Sequence, residues 1–177
     1  YNNYYLIVGR LIPDNNSRLI LDAFLKSKSK KKIVIVGDVP YDDLYAKNMK
    51  LMSDERVVMT GYINCQESLT QLYKYCFGYI HGHQYGGTNP TMINALDLNL
   101  NIIALKTKFN IEMLKGKKAI LFERNISSII KSINSFETNY LELIKKNRNY
   151  LLNKIYDWDN IVNLYLKLFF KLIDEKS

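Results

Sequence analysis

The stretch Tyr79–Leu96, YIHGHQYGGTNPTMINAL, holds both histidines of the chain and three of its eight glycines. It follows directly from the apolar run FGYIH (77–81). An apolar run of that length reads as a buried strand. The glycines after it let a backbone approach a ligand closely. Thr88, Asn89 and Pro90 then read as a helix entrance, with Thr91 and Met92 in the first turn. Strand, glycine-rich loop and helix in that order make one βα unit, and the fold turns on whether the unit repeats.

It does. Apolar runs recur at 4–8, 32–36, 56–60, 77–81, 101–105 and 118–122. Segments with helical spacing lie between them at 17–27, 41–52, 66–76 and 91–98, with a weaker one near 109–115. Short strands alternating with longer helices predict a parallel sheet covered on both faces. After residue 124 the pattern is helical: NISSIIKSI, a long segment at about 137–155, and WDNIVNLYLKLFFKLI. In the last helix Ile161, Val162, Leu164, Tyr165, Leu168, Phe169, Leu172 and Ile173 form the stripe of a packed helix. Leu166 and Phe170 fall towards its other side. So wide an apolar surface points either to a second body or to deep burial. The expectation is one domain over 1–177: α/β, a Rossmann-like parallel six-stranded sheet with helices on both faces and C-terminal helices.

Composition narrows the function classes. At 177 residues and 47% hydrophobic, the chain suits one folded domain. No apolar run approaches the roughly 18 residues that span a bilayer, and no signal-peptide pattern is read. The formal charge of +8 favours anionic partners. The basic run KSKSKKK (26–32) follows a predicted helix, where cations complement the helix dipole; lacking interleaved aromatics, it gives no ground for nucleic-acid binding. Cys65 and Cys76 have neither metal-ligand spacing with the histidines nor a disulfide framework, so reduced thiols in a cytoplasmic protein are expected. The sequence has no initiator Met and enters a strand at once, the expectation for a piece of a longer protein.

In an open α/β sheet, ligands bind at the carboxyl ends of the strands. Four loops there carry polar chemistry. In VGRLIPDNNSRL, Gly9 allows a tight turn and Arg10 offers a planar fork to a diphosphate; Asn15 and Asn16 belong to the helix-capping residues that follow. The competing reading pairs Arg10 with an acid. In IVGDVPYDD, Asp38 can bind a ribose hydroxyl or cap a helix. In VVMTGYINCQES, Tyr62 can flank a base or sugar, or simply complete a turn. The fourth loop, GHQYGGTNP, would present free N–H groups and the positive end of a helix dipole to an anion. It is neither a Walker A loop nor the dinucleotide fingerprint. His81 and His83 are expected on opposite sides of an extended segment, which argues against a shared metal. His83 reads as a polar contact to substrate or as a structural hydrogen-bonding group.

The series VGRL-PDNN, IVIVGD, VVMTGYI, YIHGH-YGGTNP---NAL, NIIAL and FNIEML resembles the C-terminal half of family 4 glycosyltransferases of the GT-B fold. It is most similar to the bacterial rhamnosyltransferase-like subgroup, and the final YDWDNIVNLYLKLF is similar to that family's terminal Trp-containing helix. The resemblance implies one half of a GT-B fold that binds a nucleotide-diphosphate sugar and needs no metal or other cofactor. Arg10 would face the diphosphate as the catalytic residue. Gly9, Asn15, Asn16, Tyr62, His83, Gly86, Gly87, Thr88, Asn89 and Asn94 would contact the donor. An N-terminal domain, absent from this sequence, would bring a glycan or lipid-linked acceptor, and the helix at 157–174 would pack towards it. The implied reaction is retaining transfer of a hexose-type sugar, rhamnose by subgroup, in polysaccharide synthesis, with this fragment alone inactive. The implied place is the cytoplasm, with peripheral association of the full-length protein at the inner face of the membrane. Two positions depart from the family pattern. Asn15 stands where most members have Lys, although the subgroup also tends to Asn there. Gly86 and Asn94 stand where two glutamates are usual; Asn94 loses a charge-assisted contact of about 1–2 kcal/mol. The resemblance therefore leaves room for a catalytically degenerate binding domain, and less for a GT-B sugar-nucleotide epimerase. Asn99 replaces a common Gly, and Asn tolerates a left-handed turn.

Overall fold

Six strands form one sheet in a computed structural model that describes residues 3–52, 54–150 and 156–174. They are β1 (Tyr4–Val8), β2 (Lys32–Val36), β3 (Val57–Gly61), β4 (Gly78–His81), β5 (Ile102–Leu105) and β6 (Ile120–Phe122). The order is β3-β2-β1-β4-β5-β6, and each neighbouring pair is parallel. The helices are α1 (Ser17–Lys26), α2 (Leu44–Lys50), α3 (Gln66–Lys74), α4 (Pro90–Asp97), α5 (Lys108–Met113), α6 (Ile126–Thr138), α7 (Tyr140–Asn147) and α8 (Trp158–Asp174). This is the expected Rossmann-like α/β sheet. Its strand order reverses direction between β1 and β4.

Side chains alternate across the strands and so build two cores. Tyr5, Ile7, Ile33, Ile35, Ile80 and Ile103 face one side, where α1 and α6 close over them with Phe24, Ile129 and Phe136. Leu6, Val8, Val34, Val36, Tyr79 and Ile102 face the other, against Tyr73 of α3, Met92 and Leu96 of α4, and Met113 of α5. Double burial holds for the inner strands. The edge strands β3 and β6 are half exposed, through Val58 and Leu121 among others. Gly78 begins β4 because a Cβ there would lie 2.6 Å from the Phe136 ring.

Two helical expectations change. The long helix read over about 137–155 is broken at Asn139 (φ −103°, ψ 15°), whose amide donates to Ser135 O at 2.8 Å and ends α6. Residues 151–155 of that segment lie outside the described residues. The terminal helix α8 forms, but none of its residues is buried; Trp158 is 76% and Phe170 63% exposed. Deep burial is thereby ruled out among the described residues: of the stripe only Ile161, beside Phe109 and Met113, is partly covered. No described helix is long and apolar enough to cross a membrane. Of the free cysteines, Cys65 is exposed and Cys76 is buried, its thiol pushed up to about 12 by desolvation.

At the amino ends of β5 and β6 a buried polar cluster fastens the end of α7. The Asn147 amide donates to Asn101 Oδ1 (3.1 Å) and Lys118 O (2.8 Å), and its oxygen accepts from Lys118 N (2.9 Å). Asn99 takes the left-handed turn after α4 (φ 51°), and donates to Asn147 O. Lys117 is buried there, hydrogen-bonded to Asn99 and 4.3 Å from the Tyr150 ring centroid. Desolvation pulls its ammonium down to about 8. Between that value and the ordinary lysine range, the unfolded chain holds more protons than the folded one. Stability from this group therefore rises with pH across the window, and below it the buried charge is a constant cost. Lys117→Met is expected to be more stable than the wild type at pH 7 by roughly 1–2 kcal/mol. The gap should close as pH rises from about 8 to about 10.5, as read by urea unfolding. A gap that does not change with pH would show that Lys117 carries no such charge penalty.

Candidate functional site

A cleft of about 650 Å³ opens at the carboxyl ends of the strands, between the loops after β1 and β4. That is the switch point of the sheet, where neighbouring connections leave in opposite directions. The ladder between β1 and β4 covers only Tyr5↔Gly78 and Leu6↔Tyr79, although both strands run on. On the far side of β1 the backbone is packed without side chains. A Cβ on Gly37 (φ 138°) would lie 1.9 Å from Gly9 O.

Polar groups hold the two loops together across the gap. Asn16, strained at φ 54°, donates to Gly82 O at 2.8 Å, and its oxygen accepts from Arg124 Nε at 2.9 Å. Gln84 N donates to Asp14 O at 3.0 Å, and Asn15 donates to Arg10 O at 2.8 Å. From the third side, buried Asn110 donates to His83 O (3.1 Å) and Leu105 O (2.8 Å). A Cβ on Gly82 would sit 2.4 Å from Asn15 O, so the loops meet backbone to backbone.

Gly9, Arg10, Asn15, Tyr62, His83, Gly86 and Asn89 line this cleft together. Arg10 is exposed, and among the described residues it makes no ion pair, which removes the reading in which it pairs with an acid. Asn89 caps α4: its Oδ1 accepts from Thr91 N at 3.0 Å and Thr91 Oγ1 at 2.8 Å. The backbone N–H groups of Gly86, Gly87 and Thr88, in the loop ahead of α4, have no partner among the described residues, whereas the first amides of the helix itself are satisfied by Asn89. Tyr62 stands at the rim, 74% exposed. Asp38 is held by Lys50 (2.7 Å) and by Val39 N, interactions that keep its carboxyl below the ordinary range.

Other expected residues lie elsewhere. Gly87 and Thr88 line a neighbouring cavity of about 400 Å³ with Phe109, Glu112 and Tyr156, so the glycine loop is a wall between two cavities. Asn16 is buried behind the cleft, and Asn94, on α4, is not among the lining residues. The expectation for the histidines was wrong. Residues two apart share a strand face, and the His81 and His83 rings stack with centroids 4.4 Å and planes 11° apart. No cluster of metal-ligating side chains occurs among the described residues. Burial and the nearby Arg10 push the His83 imidazole down to about 4, and burial pushes His81 lower than its ordinary range as well. Sequence reading passed over Asp14, Asn64, Tyr85 and the support from Asn110. Asn110 lies 27 residues from His83, and no local pattern announces that contact.

The sequence profile described as "Glycosyl transferases group 1" matches residues 2–158. No curated protein sequence matches the chain. Solved structures share the fold at low identity. Anabaena HepE, in complex with UDP-glucose, is 18% identical with a TM-score of 0.72, over 84% of this chain and 43% of that one. Sucrose-phosphate synthase from Thermosynechococcus elongatus is 17% identical at 0.77, over 95% and 46%. The C-terminal domain of a group 1 family protein, LpcC of Francisella tularensis, is 15% identical at 0.71, over 93% and 87%. The chain thus spans under half the length of the first two.

The packed loops give a direct test. Gly82→Ala should cost roughly 2–3 kcal/mol in urea unfolding, because its methyl meets backbone that cannot yield. Gly87→Ala, where nothing lies within 4 Å of the added carbon, should stay within about 0.5 kcal/mol of wild type. Equal stabilities would show that the two loops are not in contact.

Proposed function

The chain belongs to the glycosyl transferases group 1 family, and from that membership we propose that it is the donor-binding half of a two-domain GT-B transferase. Its ligand on this reading is a nucleotide-diphosphate sugar. The observation that carries it is Arg10, a guanidinium without an ion-pair partner among the described residues, in the same switch-point cleft as Gly86 of the loop with open amides. A permanent cation and open N–H groups suit a diphosphate. Tyr62 at the rim offers a flat face to the base or sugar. HepE, in complex with UDP-glucose, supports the ligand class by analogy of fold.

Catalysis on this reading is electrostatic. The sugar passes to the acceptor with retention and without a bound metal, while Arg10 and the loop amides stabilise charge on the departing diphosphate. The missing N-terminal domain brings a glycan or lipid-linked acceptor. The uncovered apolar arc of α8 supports packing onto that domain. Subgroup resemblance favours rhamnose as the sugar, polysaccharide synthesis as the process, and the cytoplasm or inner membrane face as the place. One observation favours a second reading, a binding domain without turnover: Asn94 stands where the family's carboxylate is usual and lies outside the cleft lining.

Calorimetric titration with UDP-, GDP- and dTDP-sugars tests the ligand class, and no binding to any of them by the folded chain would overturn it. Arg10→Ala is expected to weaken binding at least about tenfold; unchanged affinity in a folded variant would place the phosphates elsewhere. Assay of the full-length protein then separates the two readings. Binding without transfer across a broad acceptor panel, with turnover gained in Asn94→Glu, favours the degenerate domain.

A further inference from the structure

In the stacked pair of histidines, the surrounding hydrogen bonds fix the proton of one ring, His81. Asn89 Oδ1 can only accept, and it accepts from Thr91 N and from the Thr91 hydroxyl. The Thr91 proton being committed, its oxygen accepts from Tyr79, at 2.9 Å. Tyr79 has no second proton, so its 3.1 Å contact with His81 Nδ1 requires the proton on the imidazole. His81 is therefore the Nδ1–H tautomer. Its Nε2 is a bare lone pair, sealed in the interior without a partner among the described residues.

This fixed ring is the platform for His83. The His83 carbonyl is held by Asn110, and its ring lies flat on His81. Its Nδ1 is sealed off and unpartnered, while the Cε1–Nε2 edge is turned over Gly9 in the cleft wall. A Cβ on Gly9 would lie 2.9 Å from His83 Cε1, so the absence of a side chain there is what admits the ring. The charged or titratable groups lining the same cleft are Arg10, Asp14, Asp38, Tyr62 and Tyr85, with His81 beneath; α5 meets His83 through the neutral amide of Asn110.

We propose that His81 is a positioning residue that holds His83 as a neutral Nε2–H donor to the anionic group of the ligand. The proposal rests on the nucleotide-sugar reading for the ligand, but not for the state of the rings. Division of labour follows: Arg10 supplies the charge, and His83 supplies a directed hydrogen bond. The low proton affinity of both rings, from burial and from Arg10, agrees with this assignment.

Long-range proton–nitrogen spectra of the imidazoles, with UDP titrations in buffers of different ionisation enthalpy, test it between about pH 5.5 and 8. Expected are Nδ1–H on His81, Nε2–H on His83, no titration of either ring, and no proton uptake when UDP binds. Tyr79→Phe removes one hydroxyl; it should leave the fold intact, mix the His81 tautomers and weaken UDP several-fold. His83→Leu should weaken UDP about tenfold, and His83→Gln, which keeps a donor, should recover most of that. A His83 midpoint within the range, Nδ1–H on His83, proton uptake on binding, or a Leu variant that binds like wild type would each overturn the proposal. If UDP does not bind the wild type at all, the nucleotide reading fails instead, and the two tautomers alone decide the fate of this assignment.

Discussion

The site depends on an unfinished strand pairing. β1 and β4 are neighbours in the sheet, yet their ladder stops at Leu6 and Tyr79 while both strands continue. Beyond that point the connections leave for opposite faces, and backbone that would have been satisfied by its neighbour needs other partners. Asn16, Gln84 and Asn110 help to provide them, each with a bond to a loop far away in sequence. The cleft is the space that remains once those bonds are made. The backs of its walls are stiffened where loops meet through backbone carbonyls and buried amides, while longer side chains such as Arg10 and Tyr62 stand in front.

Stiffness has an electrostatic consequence. Hydrogen-bond donors that already face an anion's position need little rearrangement when it arrives. Here the donors differ in kind. The guanidinium of Arg10 keeps its charge at any relevant pH, the loop amides carry partial charge, and the buried imidazoles add polarity without charge. Glycines matter in this setting for what they omit. Gly9 makes room for the His83 ring, and Gly37 lets the ends of β1 and β2 touch.

Much of this was legible in the sequence, and unevenly so. The strands stood out because the inner ones are buried on both faces and read as apolar runs; the ends moved by a residue or two where edge strands meet solvent. The loops that carry chemistry were legible because glycine and capping residues follow each strand. The supports were not, since Asn16 to Gly82 and Asn110 to His83 are long-range contacts with no local signature. The histidines were misplaced by a failure to apply the two-residue strand period, which the sequence did contain. The break at Asn139 was hidden because helical spacing continues on either side of it.

The terminal helix leads to a different kind of conclusion. α8 has a wide apolar arc, and none of it is buried among the described residues. Its free energy is therefore a property of an assembly and not of this fold. A second domain of the same chain that covered the arc would be joined to the sheet domain twice, once by peptide bonds and once by the helix. The second junction is intramolecular and benefits from a high local concentration. On the two-domain reading, such a strap would limit how far the domains separate while still permitting them to rock.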